Sequence, residues 1–114
     1  MPIAGAGKRI YEAVTSWEEI VHAPHRFGGT EYRLGHREVG HVHGDSLVDI
    51  PFPLPVRHEL VENGAAEPHH ILPHSGWVSI YLRKPADVDR AIQLLRRSYE
   101  IALAGQTTHA KVSG

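Results

Sequence analysis

Residues 51–55 read PFPLP. Proline has no backbone N–H to give a ladder and is tolerated only at sheet edges, so no central strand runs through Pro51, Pro53 and Pro55. The chain must leave any sheet at this point. The break separates an N-terminal part rich in short extended runs from a C-terminal part in which helical patterns flank one strand.

Before the break, residues 8–22 carry Ile10, Val14, Trp17 and Val21 at three- and four-residue steps, which predicts a helix with one apolar stripe. Pro24 sets its limit, because the residue before proline is pushed out of helical geometry. Strands are predicted at 25–34, 37–43 and 46–50, joined by Gly35–His36 and Gly44–Asp45 as turns. Gly28–Gly29 mark a bulge or a close backbone approach in the first of them. After the break, 55–63 reads as a short helix with Pro55 in its first turn and Gly64 past its end. A loop follows at 67–76. The alternating WVSIYL of 77–82 is a fourth strand, and 85–104 is the longest helix, with Pro85 and Asp87 in its first turn. Residues 105–114 have no periodicity and are expected to form a flexible tail. The order α-β-β-β-α-β-α predicts one α+β domain over 1–104, a two-layer sandwich whose mainly antiparallel four-stranded sheet has helices on one face.

The chain has 114 residues and no cysteine, which excludes a disulfide framework, a thiolate zinc site and a cysteine nucleophile. A small domain without disulfides is expected in the cytoplasm. No apolar run is long enough to span a membrane, and the first ten residues lack the apolar centre of a signal peptide. The net charge of −1 argues against nucleic acid as a partner. A small molecule is the expected partner, and the chain is expected to be a monomer or homodimer.

Histidine is the compositional outlier, with 10 copies. His22, His36, His58 and His109 are read as surface residues. His41 and His43 are different, because alternate residues of a strand share a face. If Val42, Val48, Ile50, Val78, Ile80 and Leu82 meet the helices, the opposite face carries His41, His43, Asp49, Trp77, Ser79 and Tyr81. Simple alternation also puts Val39 on that face. The first strand adds either Glu31 and Arg33 or Thr30 and Tyr32.

Four readings of this face are open. It may hold a metal, Fe or Zn, with a third ligand from His69, His70, His74 or Asp49, since two imidazoles with a carboxylate or a third imidazole suit both ions. It may do acid/base chemistry on a flat phenolic or enolic molecule, with Arg57 or Arg33 holding the anion. Exposed aromatics on a small sheet also suit single-stranded nucleic acid, though no basic run flanks them. The fourth reading is that the histidines are surface decoration.

The stretches HRFGGTEYRLGHREVGHVHGD, EPHHILPHSGWVSIYL and ADVDRAIQLLRRSYEIAL resemble the luciferase-domain family, over about residues 24–104. The likeness is strong to short bacterial members. It is distant to the fungal bioluminescence luciferases, through Glu38–His43, His69–His70 and Trp77. The order of elements is also remotely similar to the MmcQ/YjbR fold. The resemblance implies an oxygenase that acts with O₂ on an enolisable pyrone or phenol without an organic cofactor. It implies His41 and His43 as base and orienter, His70 as the loop histidine and Trp77 as a pocket wall. Joined to the shared sheet face, the reading takes His41, His43 and Asp49 as the catalytic group, and Arg57, His70, Trp77 and Tyr81 as substrate contacts. No metal is implied; were one present, His41, His43 and His70 are the expected ligands. Fungal members are longer, with a different N-terminal half.

Overall fold

The computed structural model describes residues 2–25 and 28–113, with side chains described through Gln106. The elements are α1 (Ala6–Val14), β1 (Ile20–Pro24), β2 (Thr30–Leu34), β3 (Arg37–His43), β4 (Leu47–Pro51), α2 (Leu54–Glu62), β5 (Glu67–Pro68), β6 (Trp77–Tyr81) and α3 (Pro85–Ser113). The fold is α+β. Six strands form one sheet in the order β1-β2-β3-β4-β6-β5, and every neighbouring pair is antiparallel. Among the described residues no helix is long and apolar enough to cross a membrane.

The sheet has two strands more than the four expected. One replaces the second half of the predicted 8–22 helix, which ends at Val14. Thr15 and Ser16 turn their hydroxyls back onto the carbonyls of Tyr11 and Ala13, satisfying the last turn locally. Glu19 then takes a positive φ of 66°, and the chain reverses into β1, which pairs with β2 along its whole length. Trp17 still packs against the core, its ring 5.3 Å from that of Tyr99, but Val21 stands exposed on the edge strand. The second addition, β5, is a two-residue pairing against β6 inside the predicted 67–76 loop. The strand expected from residue 25 begins at Thr30; residues 26–27 of that expectation lie outside the described residues, as does the side chain of His109. The last helix runs to Ser113, beyond the 104 expected. Pro51 and Pro53 close β4, and Pro55 sits in the first turn of α2.

The core lies between one sheet face and the helices. Val48 pairs with Ile80, and Ile50 with Val78, and all four are fully buried with Ile10, Val14, Leu82 and Leu95. Glu59 of α2 bonds Arg97 of α3, so both helices cover the same side. The helix-free face of the sheet is left for other side chains.

Between Tyr32 and Arg33 the β2–β3 register shifts: Tyr32 opposes Gly40, while Arg33 opposes Glu38. Val39 is the extra residue, fully buried. It therefore faces the core and not the His41 side that simple alternation assigned it. A bulge of this kind turns the strand's residues over. Glu38 moves onto the helix-free face, and Gly40 gives α3 its closest approach, since a Cβ there would lie 2.6 Å from Leu95 Cδ2.

Gly28 and Gly29 end the β1–β2 connection at positive φ, and a Cβ on Gly29 would lie 2.1 Å from the Val42 carbonyl oxygen. Of the two expected explanations, close approach of backbone holds for Gly29, whereas a Cβ on Gly28 would meet nothing within 4 Å. Gly29→Ala must therefore meet both a strained φ and a backbone clash, and should cost about 2–4 kcal/mol in urea unfolding.

At the start of α3, Asp87 receives the backbone N–H groups of Arg83 and Lys84, at 2.9 and 3.0 Å, and the Arg90 guanidinium. Burial works against its ionisation, but these donors outweigh it and hold the carboxyl below its ordinary range. The interaction is present above the usual aspartate pKa and is lost as pH falls through the folded-state value. Asp87→Ala should lose about 1–2 kcal/mol at pH 7, and the gap between parent and variant should narrow below about pH 4.

Candidate functional site

The register aligns one polar row across the helix-free face. Glu31 lies opposite His41, His41 opposite Asp49, and Asp49 opposite Ser79. Across β3, β4 and β6 the core-face rows at either side are Val42, Val48 and Ile80, and Gly40, Ile50 and Val78, so the polar row departs from the hydrophobic pattern of these strands. Of the two alternatives for β2, Glu31 and Arg33 take this face, and Tyr32 is in the core.

Asp49 is the centre. It is 1% exposed, in the middle of a central strand. Ser79 Oγ donates to Oδ1 at 2.6 Å. The other oxygen, Oδ2, faces four imidazoles: Nε2 of His41 and His43 at 3.1 Å each, of His70 at 3.4 Å and of His69 at 3.5 Å. The first two come from β3 and the second two from the loop after β5. That loop therefore folds across the sheet and brings together residues some 20–30 positions apart.

Two of the four imidazoles are oriented by a second set of hydrogen bonds. His41 Nδ1 meets Glu38 Oε2 at 2.7 Å, a contact that exists because the bulge at Val39 puts Glu38 on this face. His69 Nδ1 accepts the backbone N–H groups of Ile71 and Leu72, at 3.1 and 3.0 Å. Its ring proton is therefore on Nε2, pointing at Asp49. His25 stacks on His41 with centroids 4.0 Å apart and reaches Glu31 Oε1 at 3.3 Å through its own Nδ1. Arg33 bonds the other oxygen of Glu31.

The charges follow from these contacts. Burial pushes the Asp49 carboxyl up, but the His41 and Ser79 hydrogen bonds and the surrounding imidazoles outweigh it and hold the group well below the carboxylate range. Burial pushes His41 down, yet its bonds to Asp49 and Glu38 raise it to about 9. His43 and His69 are lowered, chiefly by burial, with Asp49 opposing and neighbouring imidazoles assisting. The floor thus holds one cationic and two neutral imidazoles around a carboxylate at neutral pH.

Above this floor is a cleft of about 430 Å³, a size typical of small-molecule sites. Its walls are Trp77, Ile71 and Leu72, with His25, Glu38 and the four histidines below. The Trp77 ring is 5.1 Å from that of His41. Ile71 and Leu72 are 71% and 50% exposed, an apolar lip on the opening.

Of the residues expected here, His41, His43, Asp49, His70 and Trp77 converge. Arg57 and Tyr81 do not line the cleft. Arg57 bonds the Pro73 carbonyl and so braces the loop from outside. Tyr81 shares the face with Trp77 but is four residues along the strand, roughly 13 Å away, under the Arg83 guanidinium. His74 is also outside the lining. Sequence reading gave no role to His25, Glu38 or Ser79. Ser79 was legible from strand alternation with Trp77. Glu38 was hidden by the bulge, and His25 by the chain reversal.

A family model described as the luciferase domain matches residues 36–98, more than half of the chain. The chain belongs to the luciferase-domain family. The matched segment contains Glu38, His41, His43, Asp49, His69, His70, Ser79 and Trp77, and leaves out His25. No curated protein and no solved structure matches the chain.

If Asp49 organises the floor, removing it takes away the carboxylate that four imidazoles face and leaves Ser79 Oγ without its acceptor. Asp49→Ala should destabilise the domain by about 3–5 kcal/mol in denaturant unfolding, whereas His70→Ala, at the more open side, should cost under about 1 kcal/mol.

Proposed function

We propose that the cleft binds a flat, enolisable molecule such as a hydroxylated pyrone or phenol and promotes its reaction with O₂, as an oxygenase. The observation that carries this reading is the pairing of an apolar-walled cleft with a floor of four imidazoles around one buried carboxylate. A flat ring between Trp77 and the Ile71–Leu72 lip would direct an oxygen substituent toward the floor. Hydrogen-bond donors there favour the enolate over the enol. Membership of the luciferase-domain family, and the resemblance of Glu38–His43, His69–His70 and Trp77 to the fungal luciferases, support the same chemistry.

The reaction balances without an organic cofactor. The enol gives up its proton to the imidazole floor. The enolate carbon then forms a C–O bond to one atom of O₂, with both bonding electrons from the substrate. The O–O π bond breaks, and the proton ends on the terminal oxygen as a hydroperoxide. The substrate is the reductant and O₂ the oxidant.

Both halves are measurable. Hydroxylated pyrones and catechols are titrated against intrinsic tryptophan fluorescence, and O₂ uptake is followed with an electrode. Saturable quenching with O₂ uptake is expected, and calorimetric titration of Trp77→Ala should give an affinity at least about tenfold lower, or some 1.4 kcal/mol. Absence of binding and uptake across the panel, by folded protein, overturns the reading.

A further inference from the structure

We propose that the floor of the cleft is a binding site for a divalent transition-metal ion, held by Nε2 of His41, Nε2 of His43 and Oδ2 of Asp49. The site stands on the geometry of the floor alone, whatever molecule enters the cleft. These three atoms lie within 4.8 Å of one another, with Asp49 Oδ2 3.1 Å from each nitrogen. Adjacent ligands of an octahedral ion with bonds of about 2.1 Å are roughly 3.0 Å apart, and those of a tetrahedral ion about 3.4 Å. The two spacings from Asp49 Oδ2 lie closer to the first.

Hydrogen bonding within the protein does not account for this packing. A carboxylate oxygen has two lone-pair sites, and four imidazole nitrogens converge on Asp49 Oδ2. A cation at this point lets His41 and His43 turn lone pairs inward in place of protons. The supporting contacts are in position. Glu38 accepts from His41 Nδ1, so a metal that displaces the Nε2 proton meets a lone pair there, in the carboxylate–histidine pairing that orients metal ligands. Ser79 fixes the remaining oxygen of Asp49.

The same contacts choose between two candidate sets. Asp49, His69 and His70 also lie within ligand range of one another. His69, however, accepts two backbone N–H groups at Nδ1 and so carries its proton on Nε2, where a ligand needs a lone pair. Asp49 thus takes the third position that the sequence assigned to His70. No lysine or arginine lines the cleft among the described residues; Arg33 reaches Glu38 Oε1 from outside it at 3.9 Å, and the groups facing Asp49 are imidazoles and the Ser79 hydroxyl. Two imidazoles and one carboxylate suit Fe(II), Co(II) or Zn(II) over Mg²⁺ or Ca²⁺, and three protein ligands leave positions open toward the cleft.

Untagged protein is stripped with a chelator, checked for folding by near-ultraviolet circular dichroism, and titrated with Co(II) under argon. Visible absorption reports coordination, and elemental analysis reports stoichiometry. The expected result is one Co(II) per chain, with the weak bands of five- or six-coordination and a raised unfolding temperature. His43→Gln, at a half-buried position that can be changed without emptying the core, should bind at least tenfold more weakly. Glu38→Gln should lose about 10- to 100-fold. His70→Gln should keep the metal. No saturable uptake by folded protein, or uptake that survives His43→Gln but needs His70, overturns the assignment. Pyrone titrations of the stripped protein separate failure of the metal site from failure of substrate binding.

Discussion

A carboxylate in the middle of a central strand is the constraint on which the rest of the site depends. Asp49 sits between Val48 and Ile50, both fully buried on the core side. Its own side of the strand is covered too, so the charge has little access to water. A buried charge is tolerated only when it is paired and hydrogen-bonded. Here one oxygen takes a hydroxyl from the neighbouring strand, and the other is ringed by imidazoles. The loop carrying His69 and His70 is tied to the sheet through the same group. Site and cover are therefore one electrostatic unit.

Two layers divide the labour. The helical side of the central strands β3, β4 and β6 is apolar and supplies stability. The other side gives up hydrophobic pairing along the row Glu31, His41, Asp49 and Ser79. Such a row is costly unless each member has a partner, and each has one: Arg33 for Glu31, Glu38 for His41, Ser79 for Asp49. The β3 bulge makes this possible. By absorbing Val39 into the core it lets Glu38 and His41, three residues apart, meet on one face. The same irregularity leaves Gly40 toward α3, so the helix can pack closely behind the site.

Much of the architecture was legible in local patterns. The prolines of 51–55 end β4 and start α2, as a residue without an N–H and with fixed φ must. Alternation in 77–82 and the turn at Gly35–His36 specified strands and a hairpin that the structure keeps. The failure at 15–22 has a definite cause. Trp17 and Val21 continue a helical period, but Thr15 and Ser16 compete for the helix's last carbonyls, and β2 offers Ile20–Pro24 a strand to pair with. Non-local pairing overrode the local period.

The residues on their own determined the class of the fold, the core face of the central strands and the grouping of His41, His43, Asp49 and Trp77, because side chains alternate strictly along a regular strand. Only the tertiary structure decided the rest. A bulge in β3 was needed to bring in Glu38, a chain reversal to lay His25 on His41, and a loop crossing to carry His69 and His70 onto Asp49. It also sent Arg57 and Tyr81 elsewhere. Those outcomes depend on register shifts and on segments far apart in sequence, and no periodicity in a single strand encodes them.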